Sequence, residues 1–410
     1  MLKEFCSISK FDDDFVGLRI IDGYPHITFP RGFSLSTDEE ELRKDIVRLL
    51  TTIQRFSGRQ EGYRMSNSSG ENLLDFPFLS CQYLIYNFIS KGYYTETEEH
   101  YKRSTKGKIS WKKTIQNIKP QIDNDNVVYL DFIIKTNKIN SNNLITKIHE
   151  FCVYKAFSML GWLYIESDFL PKKPTIKFDK KAFLTVLKNE LNNTFNSEKK
   201  MLFTSMINLV NLESEASDSE SVTSFGVNRF EYVWENLIDH IFGESNKEIY
   251  FPHATWHIIS GSKTESSALE PDTIMLKDNK IYILDAKYYK YGVTGIAQHL
   301  PGTSSIQKQI TYGKHIDTNF EFDENNIYNA FVMPFCKESE ETPNYKFVSV
   351  GTADWEKYVS STPNYYYVLG ILLDTTYAIR SYSKHNVNEI EKLSELIVES
   401  LKDFRSNRGE

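Results

Sequence analysis

Residues 271–289 read Pro271-Asp272-Thr273-Ile274-Met275-Leu276-Lys277-Asp278-Asn279-Lys280-Ile281-Tyr282-Ile283-Leu284-Asp285-Ala286-Lys287-Tyr288-Tyr289. Two short apolar runs, Thr273 to Leu276 and Lys280 to Leu284, flank Lys277-Asp278-Asn279, a pattern that predicts a β-hairpin. Alternation along a strand puts Asp285 and Lys287 on one face and the small Ala286 on the other, and Asp272 at the start of the first strand lies beside them. Two carboxylates and an ammonium then converge. Carboxylates about 4 Å apart repel by roughly 4 kcal/mol at an effective dielectric near 20, so such a pair persists most easily around a divalent cation. Mg²⁺ suits the site because it takes one or two carboxylates, keeps waters and accepts phosphate oxygens, and Mn²⁺ is the alternative ion.

An ordinary hairpin with solvated charges is the bland alternative, since Asp and Lys are common at strand ends. Against it stands the apolar context Ile283-Leu284-Asp285-Ala286-Lys287-Tyr288-Tyr289, which sets the charges at the end of a buried strand. The motif resembles the PD-(D/E)XK nuclease signature. That resemblance implies a mixed sheet flanked by helices and hydrolysis of DNA phosphodiesters, with Mg²⁺ held by Asp272, Asp285 and the Ala286 carbonyl and Lys287 serving the attacking water. It also implies a glutamate on the first helix as a further ligand. Glu231 and Glu235 stand one turn apart on the helix before the hairpin, and spacing favours Glu235. Gln309 and Tyr312 resemble a Gln-x-x-Tyr pairing that some of these nucleases place near the site to hold DNA, and Lys308 or Lys314 is a candidate phosphate contact; for each of these a polar surface turn is the competing reading.

At 410 residues the chain predicts two or three domains, each with its own core. No apolar run is long enough to cross a membrane and the start lacks a signal peptide's apolar stretch, so a cytoplasmic chain with no membrane partner is expected. Cys6, Cys81, Cys152 and Cys336 are scattered with no Cys-x-x-Cys pair, which suggests neither a zinc site nor a disulfide framework. His253 and His257 have an i, i+4 spacing, but Pro252 precedes them and Trp256-His257-Ile258-Ile259 looks extended, so zinc is disfavoured. A formal net charge of −7 is not the basic footprint of a protein that grips DNA alone, so either a local patch or another subunit supplies the affinity. Gly261-Ser262-Lys263-Thr264 lacks the glycine that precedes the lysine of a nucleotide-binding loop, and nucleotide hydrolysis is not expected.

The acidic, Ser-rich run Glu213 to Ser221 reads as a linker and divides the chain. The expected organisation is an amino-terminal partner-binding region over 1–125, a helical region over 126–212, a linker over 213–224 and a nuclease domain over 225–410. Val16 to Pro30 suggests a small β-unit, followed by a helix with Ser36 and Thr37 as candidate N-caps and Leu42, Ile46, Leu49, Leu50 and Ile53 on one face. From Lys91 to Lys119 the chain is basic and aromatic; Lys106, Lys108, Lys112 and Lys113 form either a solvated face or a phosphate or partner contact. Leu144, Ile148, Cys152 and Met159 share a helical stripe, and 179–212 reads as further helices. Phe225 to Phe242 reads as helix, followed by a strand-like Tyr250-Phe251, the hairpin, a helix near Ser304 to His315, strands near Phe331 and Tyr366, and a last helix carrying Ile390, Leu393, Ile397, Leu401 and Phe404. The fold class expected is thus mixed α+β or α/β.

Leu269-Glu270-Pro271-Asp272-Thr273-Ile274, the strand through Tyr289, Leu300-Pro301-Gly302-Thr303-Ser304-Ser305-Ile306 and Lys308-Gln309-Ile310-Thr311-Tyr312-Gly313 together resemble the LlaJI-type restriction endonuclease subunit, a family related to McrC of McrBC systems. Lys91-Gly92-Tyr93-Tyr94 and Lys106-Gly107-Lys108-Ile109 resemble the aromatic segment and basic glycine turn of McrC-like chains. The resemblance implies a partner: a McrB-like AAA+ GTPase, as a hexameric ring, that recognises and translocates DNA and whose GTPase this chain stimulates. Two other readings stay open: a free-standing type II enzyme whose amino-terminal half reads DNA, and a non-cutting assembly subunit.

Overall fold

The computed structural model describes residues 2–10, 14–21, 24–57, 72–73, 77–123, 126–140, 143–165, 169–212, 223–336, 346–354, 362–381 and 385–408. Most of the expected linker, 213–222, lies outside them. The chain forms two compact units, one from residues 1–76 with 220–410 and the other from 77–219.

The larger unit is built around a five-stranded mixed sheet. Thr273–Lys277 pairs antiparallel with Lys280–Ala286, which runs parallel to Ile327–Phe335; that strand runs parallel to Val368–Asp374, and Phe347–Ala353 closes the edge antiparallel. The hairpin turn forms because Asp278 and Asn279 adopt φ of 50° and 57°, the left-handed pair that a tight hairpin turn requires and that Asp and Asn tolerate best among non-glycine residues. Ile327–Phe335 is buried along its whole length, as a strand with neighbours on both edges and cover on both faces should be. Thr303–Asn319 covers one part of the sheet, its Tyr312 and Ile316 packing with Ile274, Ile281, Ile283 and Ile327. It comes so near that a Cβ on Gly313 would lie 2.4 Å from the Tyr365 Cβ. Val387–Arg408 buries Ile390, Leu393, Ile397 and Leu401 against the same unit, so its apolar stripe is core.

The two units divide the chain differently from the expected boundaries at 125, 212 and 224. Residues 16–21 and 72–73 belong to the same unit as the hairpin, because Thr223–Val227 pairs antiparallel with both Val16–Ile21 and Asn72–Leu73, in a second five-stranded sheet completed by Tyr24–Phe29 and Cys6–Ile8. Gly17 and Gly226 face each other in that ladder; a Cβ on either would fall within 2.4 Å of opposing backbone, so this close approach needs both glycines. Residues 225–227 are accordingly strand, with Phe225 and Val227 buried on alternation, and the helix begins at Phe230. The helix Glu39–Ser57 buries all five stripe residues, but its start is capped by Asp38, which accepts from the Glu40 amide at 3.1 Å, while Ser36 accepts from Asp38. Asp45 on this helix is fully buried and takes Arg380 through both oxygens at 2.8 and 2.6 Å, with Arg48 at 3.0 Å.

In the smaller unit, Glu96–Ser104, Phe132–Asn140 and Lys108–Ile109 form a three-stranded antiparallel sheet, and Gln121–Asp123 with Asn126–Val128 a separate ribbon. A boundary at 125 would cut this sheet, since its middle strand lies beyond it. The helices Phe78–Lys91, Leu144–Tyr164, Lys180–Asn193 and Ser197–Leu212 supply its apolar packing; Ile148 and Cys152 are core, whereas Leu144 is exposed.

Candidate active site

The ends of the hairpin strands create the site. Thr273 is the last residue paired on its side, opposite Leu284, so the next amide on that edge, Ala286, has no strand partner. The Asp272 carboxylate takes it, accepting from the Ala286 N–H at 2.9 Å. On its other edge the strand continues to bond Ile327–Phe335, with the Lys287 N–H donating to the Val332 carbonyl at 2.9 Å. Asp285 and Lys287, flanking Ala286 on one face, form an ion pair at 2.8 Å with Asp285 almost fully buried.

The helix Phe230–Phe242 brings the fourth group. Its Trp234 is buried and donates from Nε1 to the Val332 carbonyl at 3.2 Å, and Phe230 and Trp234 pack on the Tyr288 ring. The Tyr288 hydroxyl accepts from the Arg31 amide at 2.6 Å, which ties the end of the motif strand to the amino-terminal segment. With Trp234 fixed, Glu235 lines the cleft: burial, and the charges of Asp285 and Glu231, push its carboxyl up to about 7 against the opposing pull of Lys287. Glu231 instead pairs with Arg229, its Oε1 2.7 Å from the Arg229 Nε. Of the two glutamates, the structure brings Glu235 to the acid cluster.

Asp272 is held well above the usual carboxylate range, by burial first and then by the charges of Asp285 and Glu235. Burial disfavours the charge on Lys287, but Asp285 outweighs it and raises the lysine above its ordinary value. The cleft, about 970 Å³, is lined by Arg229, Glu235, Lys247, Asp272, Lys287 and Lys308 among others.

The donor types suit a divalent cation. Asp285 Oδ1 is buried with no hydrogen-bond partner, an arrangement costly for a carboxylate unless a further ligand meets it. The mutual repulsion that raises Asp272 is of the kind a cation relieves. The acids are not already drawn into a closed set: among the described residues no three His, Cys, Asp or Glu side chains stand together in ligand geometry, since Asp285 is turned onto Lys287 and Asp272 onto the Ala286 amide.

Gln309 and Tyr312 are placed differently from the expectation that they hold DNA. Both are buried on the helix Thr303–Asn319, because the face carrying them packs on the sheet; the amide atoms of Gln309 and the Tyr312 hydroxyl lie inside without hydrogen-bond partners. Burial first, then the charges of Asp285 and Asp272, raise the Tyr312 hydroxyl's pKa. Lys308 does line the cleft. His257 stands exposed on the strand Thr255–His257, an extended setting in which residues four apart are separated by about 13 Å, too far to share an ion. The segment expected as a strand at Tyr250-Phe251 ends a 3-10 turn, Lys247–Tyr250, held by Tyr250 against the Phe320 ring.

Lys247 was not legible as a site residue. Its ammonium donates to Asp239 at 2.8 Å and to the Asp272 carbonyl, pinning the backbone of the acid from 25 residues away, a link that no local spacing announces.

The fold is mixed α+β. The chain belongs to the LlaJI restriction endonuclease family, whose model matches residues 15–357, and its activity class is deoxyribonuclease. It is similar to the type II restriction enzyme BsuMI component YdjA of Bacillus subtilis (strain 168), 26% identical over 344 residues, covering 80% of this chain and 72% of that protein. A solved assembly of Thermococcus gammatolerans McrB AAA+ hexamers with bound McrC contains a chain that matches at a TM-score of 0.39 and 17% identity, over 94% of this chain and 83% of that one. Among the described residues no helix is long and apolar enough to cross a membrane.

Proposed function

We propose that this chain is the cutting subunit of a multi-component restriction system, acting in the cytoplasm on DNA in the cleft of Glu235, Asp272, Asp285 and Lys287. Mg²⁺ is the working ion, Mn²⁺ the substitute, and the partner is a ring-forming AAA+ GTPase of the McrB kind. The observation that carries the cutting assignment is Asp285: one oxygen is paired with Lys287 at 2.8 Å and the other is buried without a partner. A purely structural ion pair gains nothing from leaving that oxygen unsatisfied.

Asp272, Asp285, Glu235 and the Ala286 carbonyl would hold the cation, which when bound lowers the pKa of a water and offsets charge on the scissile phosphate. Lys287, kept charged by Asp285, orients the attacking water and neutralises a phosphate oxygen. The water attacks phosphorus and the bond to the 3′ oxygen breaks, leaving a 5′ phosphate and a 3′ hydroxyl. Gln309 and Tyr312, both buried, do not reach the DNA, and Lys308 in the cleft lining meets its backbone.

The partner assignment rests on charge and on kinship. With a net −7 the chain alone should bind DNA weakly. Lys106, Lys108 and Lys112 are exposed and Lys113 sits over the Tyr101 ring at 3.3 Å, a cationic, aromatic surface suited to the nucleotide-bearing face of a motor ring. The Bacillus relative bears the name of a component, which favours a subunit over a free-standing enzyme. The complete set of acids and lysine favours a cutting role over an assembly role. The test is to add the purified chain to its AAA+ partner with GTP, Mg²⁺ and plasmid. Cleavage should need both proteins, and GTP hydrolysis should rise on adding this chain and fall back when Lys106, Lys108, Lys112 and Lys113 are all replaced by Ala. Efficient, sequence-specific cleavage by this chain with Mg²⁺ alone overturns the partner reading.

A further inference from the structure

Between the helix that carries Glu235 and the strand that follows Asp272, the chain leaves the body of its unit as a two-stranded antiparallel ribbon. Thr255–His257 pairs with Lys263–Glu265, and the ladder extends at both ends: Leu269 N–H donates to Pro252 at 3.0 Å, Ser266 N–H to Ala254 at 2.8 Å and Ile258 N–H to Ser262 at 2.9 Å. From Pro252 to Ile258 that is six residue steps, about 20 Å of extended chain. The turn closes at Gly261, whose N–H donates to the Ile258 carbonyl and whose φ of 92° suits glycine. Every residue of the two strands is exposed.

Pairing sorts the side chains into two faces. Trp256 stands opposite Thr264, with Ile258 and Ser262 further along the same side, while His257 stands opposite Lys263 on the other. Trp256 is 68% exposed, Ile258 is 48% exposed and Ile259 at the turn is fully exposed. Such apolar exposure at the end of a projecting arm stabilises nothing within the unit, so it implies an occupant. The base of the arm identifies it: Phe251, Ala268 and Leu269, at the foot of the two strands, line the same cleft as Asp272 and Lys287. DNA lying in that cleft passes the arm's foot. A second copy of the chain is the weaker occupant, because three side chains at a tip present a few hundred Å², well below the roughly 1,200 Å² of a stable protein interface.

We infer that the ribbon of residues 252–269 is a DNA-gripping arm, which seats the Trp256 face and the Ile259 tip against the bases of the duplex beside the cleavage site. A two-stranded ribbon fits a DNA groove, and apolar side chains at its tip act as wedges between base steps. The inference rests on the cleft being the place where DNA is cut.

The test titrates the full chain with an end-labelled duplex of about 30 base pairs in EDTA at low salt, where weak binding is measurable and cutting is stopped. Trp256→Ala combined with Ile259→Ser should weaken binding about tenfold, the scale of losing one base-stacking contact. Trp256→Phe should keep affinity within about twofold, since a ring remains, and lose the DNA-dependent change in tryptophan fluorescence. Wild-type binding by the double variant overturns the inference, as does failure of the wild-type chain to bind. So does a change of oligomeric state in the double variant at unchanged DNA affinity, which assigns the arm to a second copy. In Mg²⁺ with the partner, loss of cutting by Asp285→Asn alongside an unaffected arm variant removes the arm and leaves the nuclease reading standing.

Discussion

The acid cluster of the larger unit and the basic run of the smaller one are both dense in charge, and they are built in opposite ways. At the cluster, Asp285 is nearly sealed, Asp272 and Glu235 are forced above their ordinary pKa values, and one carboxylate oxygen has no partner. On the basic run, exposed Arg103 pairs with a half-buried Asp131 at 2.5 Å, and Lys106, Lys108 and Lys112 face solvent. Burial makes charge expensive and therefore informative; exposed charge costs little and says only that a surface is cationic. The cutting assignment thus rests on local geometry, whereas the partner surface must be established by adding the partner.

The largest expected effects lie at the cluster. Asp285→Ala and Lys287→Ala should each lower cleavage in the presence of partner and Mg²⁺ by about a thousandfold or more, with circular-dichroism spectra unchanged. Undiminished cutting by both variants would remove the contrast at its root. Stability should divide along the same line. Asp45→Ala leaves Arg380 without its buried partner and should cost about 3–5 kcal/mol, read as a fall in the denaturant midpoint. Arg103→Ala, at the exposed pair, should change stability by less than about 0.5 kcal/mol. Equal effects from the two would show that burial does not separate them.

A smaller effect distinguishes two neighbours on one helix. Glu235→Gln should raise the Mg²⁺ concentration for half-maximal cleavage about tenfold, and Glu231→Gln, which removes a pairing with Arg229 and not a ligand, should leave it in place. The smallest effect is pH dependence. Because Glu235 is raised to about 7 in the fold, the folded state holds its proton more tightly than the unfolded chain. Its contribution is present at low pH and is lost as pH climbs from the ordinary 4.5 through about 7; Asp272, also raised, acts in the same direction. A divalent ion relieves that repulsion, so the rise in melting temperature on adding Mn²⁺ should be greater at pH 8 than at pH 6. A larger rise at pH 6 would contradict the assignment of Glu235 as a ligand.

The hairpin and the acids were legible in the sequence because their determinants are local: alternation fixes which face Asp285 and Lys287 share, and Asp278-Asn279 fixes the turn. Helix stripes were legible for the same reason. What could not be read was long-range. Gly17 meeting Gly226 joins the amino-terminal strands to the unit that holds the hairpin across some two hundred residues, and Lys247 reaches Asp272 from a turn with no motif. Gln309 and Tyr312 look the same in sequence whether their helix face meets solvent or the sheet; the close packing at Gly313 settles that they are buried.

The most direct test of the central claim is to map the metal on the protein itself. Fe²⁺ takes oxygen ligands in place of Mg²⁺, and with ascorbate and peroxide it cuts nearby backbone, so the fragments report where the ion sits. The site described here predicts cuts confined to the neighbourhoods of Glu235, Asp272 and Asp285, suppressed by excess Mg²⁺ and lost in Asp285→Asn. Cuts centred on His253 and His257, or a pattern unchanged in Asp285→Asn, would contradict it.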